Sequence, residues 1–338
     1  MKKIAIIGAG SCGTALAIAL GRSRELHRLS LWVHGADVLA SLRNCRENSI
    51  YLPGMHIPEG IEVTGELGEA LAGAEIVLGV MPSAHARAIY TATLPHLDAR
   101  TTTDTIFVSA TKGLEHDSRA RMSEVIAEVI GREFTPRVAA LSGPSFALEV
   151  ARGDPTAVVI ASGDLQVAAE IQREFSGSTL RLYTNDDIVG VELGGAVKNV
   201  IALAAGVCAG LGLGANTIAA VITRGLSEMT RLAVALGGRR DTLAGLAGLG
   251  DLVLTATGGL SRNRSVGVEL GKGRKLSEVL SHMRMVAEGV GTTSATMALA
   301  RRHNVDMPIT EQMYSVLHEG RAPSAAIREL MERRLTKE

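Results

Sequence analysis

Lys3-Ile4-Ala5-Ile6-Ile7-Gly8-Ala9-Gly10-Ser11-Cys12-Gly13-Thr14-Ala15-Leu16-Ala17 is the stretch whose reading decides the fold of this chain. Residues 3–7 are a short β-forming run of the kind buried in a parallel sheet. Gly8, Gly10 and Gly13 follow at GxGxxG spacing and lead into a helical run predicted from Thr14 to Arg24. The first glycine permits a tight turn, the second lets a pyrophosphate approach the backbone, and the third lets strand and helix pack closely. Phosphate oxygens then meet free N–H groups at the positive end of a helix. The glycine spacing alone is common; a strand before it and a helix after it make it a dinucleotide signal. The start Met1-Lys2-Lys3 has the basic look of a secretory leader, but the apolar run stops at Ile7 and turns into the glycines, so it reads as a strand.

Outward from this unit, a second strand is expected at Leu29–Val33. Others follow at Glu75–Val80, Thr105–Ser109, Arg137–Leu141, Ala157–Ala161 and Thr179–Tyr183, with helices such as Arg119–Ile130 and Gln166–Phe175 between them. Strands alternating with helices predict an open α/β sheet with right-handed crossovers. After Asp187 the strand runs disappear. Helical patterns continue to the C-terminus, broken at Gly237-Gly238, Gly258-Gly259, Gly271–Gly273 and Pro308. The expectation is a Rossmann-type α/β dinucleotide-binding domain over residues 1–188, followed by an all-helical C-terminal domain over 189–338. The tail from Glu332 to Glu338 reads as a solvated end.

Composition narrows the function classes. Lys and Arg number 35 and Asp and Glu 35, so no net charge draws the chain to nucleic acid or to an acidic membrane. Aromatics are only 3%, which leaves the core to Ala, Val, Leu and Ile. Cys12, Cys45 and Cys208 have neither metal-ligand spacing nor an even disulfide count, so no metal is expected and a reducing cytoplasm is. The stretch Leu193 to Thr223 is long enough to span a membrane, yet its glycines, Asn199, Asn216 and Lys198 predict a buried soluble helix pair instead.

Lys198 is the only Asp, Glu, Lys or Arg in that stretch. A buried ammonium needs a partner or must release its proton, and a lysine so placed is a ready general acid or base. Asp251, in Ala247-Gly248-Leu249-Gly250-Asp251-Leu252-Val253, is either its partner or a plain helix cap. Lys112 falls just after the strand ending at Ser109, where ligands of open α/β sheets collect. Ser142-Gly143-Pro144-Ser145-Phe146-Ala147 offers backbone N–H groups and the Ser145 hydroxyl, for a ligand or for capping. Ser261-Arg262-Asn263, after a glycine turn, is a phosphate-binding set or a solvated loop. Val33-His34-Gly35 ends the second strand without the carboxylate that contacts an NAD ribose, and Asp37 lies further on. NADP(H) is therefore preferred over NAD(H), with His34, Arg43 or Arg46 facing the 2′-phosphate.

The words GAGSCGTALA, ATKGLE, SGPSFA, GGAVKNVIALAAG, ITRGLSEM, AGLGDLVLT, SRNR, AEG and MPITEQMY occur in that order and span nearly the whole chain. In this the sequence resembles the NAD(P)-dependent sn-glycerol-3-phosphate dehydrogenase family in its bacterial form. The resemblance implies reversible reduction of dihydroxyacetone phosphate to sn-glycerol 3-phosphate, the backbone of membrane phospholipids. It implies Lys198 as proton donor and acceptor. Lys112, Gly143, Ser145, Asp251, Ser261, Arg262 and Asn263 would line the substrate. Ser11, Cys12, His34, Lys112, Ala147, Arg262, Val286 and Glu288 would contact the cofactor. Two departures stand out: an aromatic is common where Cys12 stands, and Ala287-Glu288-Gly289 replaces the more usual Val-Glu-Gly. A homodimer is plausible from the apolar helices of the second domain. Two other readings share the layout. One is a 3-hydroxyacid or 6-phosphogluconate type dehydrogenase; the other is a catalytically silent NADP sensor, which would have little use for Lys112, Lys198 and Asp251 together.

Overall fold

The computed structural model describes residues 1–23, 27–97, 104–283 and 285–334. Arg24, the expected end of the first helix, and the last four residues of the tail lie outside the described residues. The chain divides into two units: Met1–Glu115 with Ala120–Glu192, and His116–Arg119 with Leu193–Glu338.

The first unit is an eight-stranded sheet in the order β3-β2-β1-β4-β5-β6-β7-β8. The strands are β1 (Lys3–Ile7), β2 (Arg28–Trp32), β3 (Ile61–Thr64), β4 (Ile76–Gly79), β5 (Ile106–Ser109), β6 (Arg137–Ser142), β7 (Thr156–Ala161) and β8 (Leu180–Asn185). Helices α1 (Ser11–Gly21), α2 (Ala36–Cys45), α3 (Leu67–Leu71), α4 (Ser83–Thr93), α5 (Met122–Ile130), α6 (Ala147–Arg152) and α7 (Leu165–Phe175) connect them. Separate apolar clusters cover the two faces, one around Ile4, Ile6, Leu31 and Ile160, the other around Ile7, Val77, Tyr90 and Phe107. A parallel sheet buried on both faces needs apolar residues in succession, which is why these strands read as runs rather than alternations.

Three features depart from the expectation. The short edge strand β3 was not anticipated; it has four residues, and its central Glu62 is exposed. β7 runs antiparallel to β6, with Ala140 opposite Ala161. The connection between them holds only the six-residue α6 and turns back at Gly153, whose φ is +89°. Helix α5 starts at Met122 rather than Arg119, because Arg119 takes a left-handed conformation with φ +64°. The orphan N–H groups of α5 are met by acids: Arg121 N donates to Glu124 Oε2 at 2.8 Å and Ser123 N to Glu192 Oε1 at 2.8 Å.

The chain runs outward from β1 to β2 and β3, then returns to place β4 on the other side of β1. That reversal is a topological switch point, and the crevice beyond the carboxyl ends of β1 and β4 is where open α/β sheets bind ligands. The glycine turn lies there.

In the second unit every described element is helical. The main ones are α8 (Ile188–Gly210, which begins in the first unit), α9 (Ala215–Ala235), α10 (Arg240–Ala244), α11 (Asp251–Thr257), α12 (Arg262–Gly271), α13 (Leu276–Ser281), α14 (Glu288–His303), α15 (Pro308–His318) and α16 (Pro323–Glu332). Helix α8 is long and apolar enough to cross a membrane, and most of it is buried inside the protein. The expected buried pair holds for α8 alone, since the first half of α9 is largely exposed or half-exposed. Helices α8 and α12 meet through glycines. A Cβ on Gly206 would lie 2.1 Å from the Arg264 carbonyl oxygen, and one on Gly210 2.2 Å from that of Val268. Backbones that close tolerate no side chain, and the contact fixes how far the two helices slide.

Candidate active site

The glycine turn is built as its spacing requires. Gly8 has φ +117°, and a Cβ there would come within 2.4 Å of the Val80 carbonyl oxygen, at the end of β4. A Cβ on Gly13 would meet the Gly8 carbonyl oxygen at 1.8 Å. Gly10 caps α1, and a Cβ there would find nothing of the chain within 4 Å. Two glycines thus serve the turn and the packing, while the third leaves a clear approach to the first N–H groups of α1. That cradle fits a pyrophosphate.

A loop that sequence reasoning missed is latched onto this turn. Asn48 is fully buried and donates to Ala9 O at 2.8 Å and to Thr14 Oγ1 at 2.9 Å. Its Oδ1 accepts from Tyr51 N, and Ser11 Oγ donates to Tyr51 O at 2.7 Å. Nothing in the local sequence around Asn48 announces a contact with residues so far away.

At the end of β2, His34 is exposed beside Trp32, ring centroids 5.6 Å apart. Arg43 is exposed, with a long 3.4 Å bond from Nε to Val63 O. Arg46 donates to Pro58 O and, at 3.0 Å, to Ile61 O. Of the two arginines named as 2′-phosphate candidates, Arg46 is therefore committed to holding its own loop.

Further along the sheet, Lys112 Nζ donates to Gly143 O at 2.7 Å and to Ser145 Oγ at 3.3 Å. The Ser145 hydroxyl donates to Gly143 O at 3.0 Å. Gly143 has φ +133°, with Val158 against it, which bends the chain so that its carbonyl faces Lys112. Ala147 is the first residue of α6.

In the helical unit, Lys198 donates to Asp251 Oδ1 and, at 2.8 Å, to Thr255 Oγ1. The Thr255 hydroxyl donates in turn to the Asp251 carbonyl at 2.6 Å. Both charged side chains are buried, Lys198 at 6% and Asp251 at 1% exposure. A neighbouring carboxylate favours the ammonium form that burial alone would penalise. Asp251 is the first residue of α11, so it is both partner and helix start. Two local features place it. A turn of π-helix over Leu246–Gly250 precedes it, and Gly194 lets α8 approach that turn, since a Cβ there would sit 2.6 Å from Ala247 O. Lys198 is one helical turn beyond Gly194.

Asn263 is buried with both ends of its amide engaged. Nδ2 donates to Asn199 Oδ1 at 2.9 Å, and Oδ1 accepts from Gly289 N at 3.0 Å. Ser261 caps α12 by accepting from Arg264 N at 3.2 Å. Exposed Arg262 donates to Val286 O at 3.0 Å, and Glu288 opens α14. Thr255 and Asn199, which bond Lys198 and Asn263, are neighbours that the sequence did not single out. Among the described residues no group of His, Cys, Asp and Glu could hold a metal.

A nucleotide cradle at a sheet switch point and a lysine–carboxylate pair buried in a helical unit are the marks of a two-domain Rossmann dehydrogenase. Comparison makes the class specific. Residues 3–168 match the N-terminal model, and residues 187–328 the C-terminal model, of NAD-dependent glycerol-3-phosphate dehydrogenase. The chain belongs to that family. A Koribacter versatilis protein named glycerol-3-phosphate dehydrogenase (NAD(P)+) is 59% identical over 339 residues, covering 100% of this chain and 99% of its own. One of the same name from Acidobacterium capsulatum is 54% identical, covering 98% of each. The crystal structure of the Coxiella burnetii glycerol-3-phosphate dehydrogenase superposes with a TM-score of 0.92 at 41% identity, over 98% of this chain and 99% of that one.

Proposed function

We propose that the protein catalyses the reversible NAD(P)H-dependent reduction of dihydroxyacetone phosphate to sn-glycerol 3-phosphate, supplying the backbone of glycerophospholipids. The single observation that carries the chemistry is the buried Lys198–Asp251–Thr255 set. When bound, the reduced dinucleotide supplies the hydride that reaches the ketone carbon. As negative charge grows on the substrate C2 oxygen, Lys198 Nζ steadies it and delivers a proton to it. In the reverse direction neutral Lys198 takes the proton from the alcohol. Asp251 and Thr255 hold Nζ in place and keep its charge compensated between turnovers.

The remaining assignments follow the same reading. The dinucleotide is given to Gly8, Gly10, Ser11, Cys12, Gly13, His34, Lys112, Ala147, Arg262, Val286 and Glu288. The substrate is given to Lys112, Gly143, Ser145, Lys198, Asp251, Ser261, Arg262 and Asn263, with the exposed Arg262 guanidinium gripping the phosphate. Residues 1–188 act as the dinucleotide domain and 189–338 as the catalytic one. NADP(H) is the preferred cofactor and NAD(H) is accepted, because no carboxylate ends β2 to repel a 2′-phosphate. Three cysteines outside any disulfide support a cytoplasmic protein, and burial of α8 supports one without a membrane anchor. The partly exposed apolar residues of α9, with Leu213 just before it, support a homodimer.

The test is loss of NADPH absorbance when dihydroxyacetone phosphate is added to purified protein, with unphosphorylated dihydroxyacetone in parallel. Fast, phosphate-dependent oxidation is expected. Tight NADPH binding with no turnover would replace the enzyme reading with that of a sensor.

A further inference from the structure

We propose that Cys12 is a peroxide-sensitive modification site, oxidised to a sulfenic acid whose oxygen enters the cavity beside the glycine turn and opposes dinucleotide binding. The inference rests on the assignment of Gly8–Gly13 to the dinucleotide.

Cys12 is the second residue of α1 and is half-buried. It lines a cavity of about 20 Å³ together with Ala110, Lys112, Leu141, Ser142 and Ser145. A volume of that size holds one water-sized group, enough for a single oxygen. The second observation is Ser142 on the same wall. It is 4% exposed, and its hydroxyl makes no hydrogen bond within the chain. A buried hydroxyl left unpaired costs free energy and needs an explanation. An oxygen on Cys12 gives it a partner.

The environment also sorts the three thiols. A helix N-terminus favours an anion, and the thiolate is the form that attacks peroxide. Cys208 is 3% exposed, and burial pushes its thiol up to about 11. Cys45 is exposed as the last residue of α2, away from this cavity.

In the reaction the Cys12 thiolate sulfur attacks one oxygen of hydrogen peroxide. The S–O bond forms as the O–O bond breaks, hydroxide leaves and is protonated to water, and the two electrons lost by sulfur reduce the peroxide. A thiol reverses it. One thiol condenses with the sulfenic acid to a mixed disulfide and water, and a second releases Cys12 as the thiol. While it lasts, the added electron-rich oxygen stands beside the turn that receives an anionic pyrophosphate, so NADPH binds less well.

The experiment treats the full-length protein with hydrogen peroxide and dimedone, which traps sulfenic acids, and maps the adduct by peptide mass spectrometry. NADPH affinity is measured by calorimetry on protein treated with peroxide alone. The expected result is an adduct at Cys12, suppressed by prior NADPH, and a Kd for NADPH weakened about tenfold or more and restored by dithiothreitol. Cys45→Ser keeps the response. Cys12→Ser and Cys12→Ala lose it, whatever their own starting affinity. No adduct at Cys12, or an adduct with unchanged Kd, overturns the proposal. NADPH binding by untreated protein reads the cofactor assignment separately.

Discussion

The Lys198 ammonium donates to Asp251 across 53 residues of sequence, and both side chains are almost wholly removed from solvent. A pair like this is weak evidence for stability but a strong constraint on what happens when one partner goes. Lys198→Ala is expected to lower kcat by about a hundredfold or more, the range of a general acid–base step. Asp251→Ala leaves the ammonium buried without its carboxylate, a cost of about 3–5 kcal/mol. Its Tm should fall on the order of 10 °C. The double variant Lys198→Met, Asp251→Leu should regain most of that Tm with no activity. If Lys198→Ala turns over at nearly the wild-type rate, the proton route lies elsewhere.

The glycines of the turn separate folding from binding. Gly13→Ala forces a methyl to within 1.8 Å of the Gly8 carbonyl oxygen. The strand–helix junction must open, at a cost of about 3 kcal/mol, the upper end for overpacking. Gly10→Ala meets no atom of the chain within 4 Å and is expected to melt near wild type. Its methyl should be felt only when the pyrophosphate arrives, as a raised KM for NADPH. A Gly10→Ala protein with unaltered cofactor KM would move the pyrophosphate away from this turn.

These contrasts show what the sequence carries and what it does not. The turn was legible because strand, glycines and helix are contiguous, and local spacing reports local geometry. Lys198 and Asp251 stood out because a charge in an apolar run is conspicuous wherever its partner is. The Asn263 link to Asn199 and Gly289 was not legible, since those residues meet only once α8 and α12 settle glycine against glycine. Asn48 was missed for the same reason: its partners, Ala9 and Thr14, lie more than thirty residues earlier. The four-residue strand β3 gave no run long enough to register. The antiparallel turn of β7 depends on where a short connection must land, which spacing does not encode.

Glu228 on α9 predicts a pH dependence of stability. It is 1% exposed and accepts from Ile309 N at 2.7 Å and Thr310 N at 3.1 Å, capping α15. Burial pushes its carboxyl up from 4.5 to about 7, opposed by those N–H donors, the Thr310 hydroxyl and Arg231. The folded state therefore holds a proton that the unfolded chain releases between these values. The stabilising contribution is whole below pH 4.5 and is lost as pH rises through about 7, at most about 3 kcal/mol. Glu228→Gln cannot ionise, so the Tm advantage of wild type over this variant should shrink from pH 5 to pH 8. A gap of constant size would mean that the carboxylate is ionised throughout.

On the proposed reading cofactor choice is set at the end of β2, where Arg46 and His34 make separable predictions. Arg46 has a left-handed backbone, φ 54°, and its guanidinium binds the carbonyls of Pro58 and Ile61. Arg46→Ala should therefore lower Tm and leave the ratio of kcat/KM for NADPH and NADH where it was. His34 is exposed beside Trp32, with its imidazole available to a 2′-phosphate. His34→Asp puts a carboxylate at the position where NAD-selective sheets carry one. It both repels the phosphate and offers an acceptor to the ribose hydroxyls, so the ratio should move toward NADH by about tenfold or more, equivalent to about 1.4 kcal/mol. The two variants need to be read together. A shift in Arg46→Ala with none in His34→Asp would place the 2′-phosphate against the loop carrying Pro58 rather than against the strand end, and would withdraw the argument that a missing carboxylate at Val33-His34-Gly35 sets the preference.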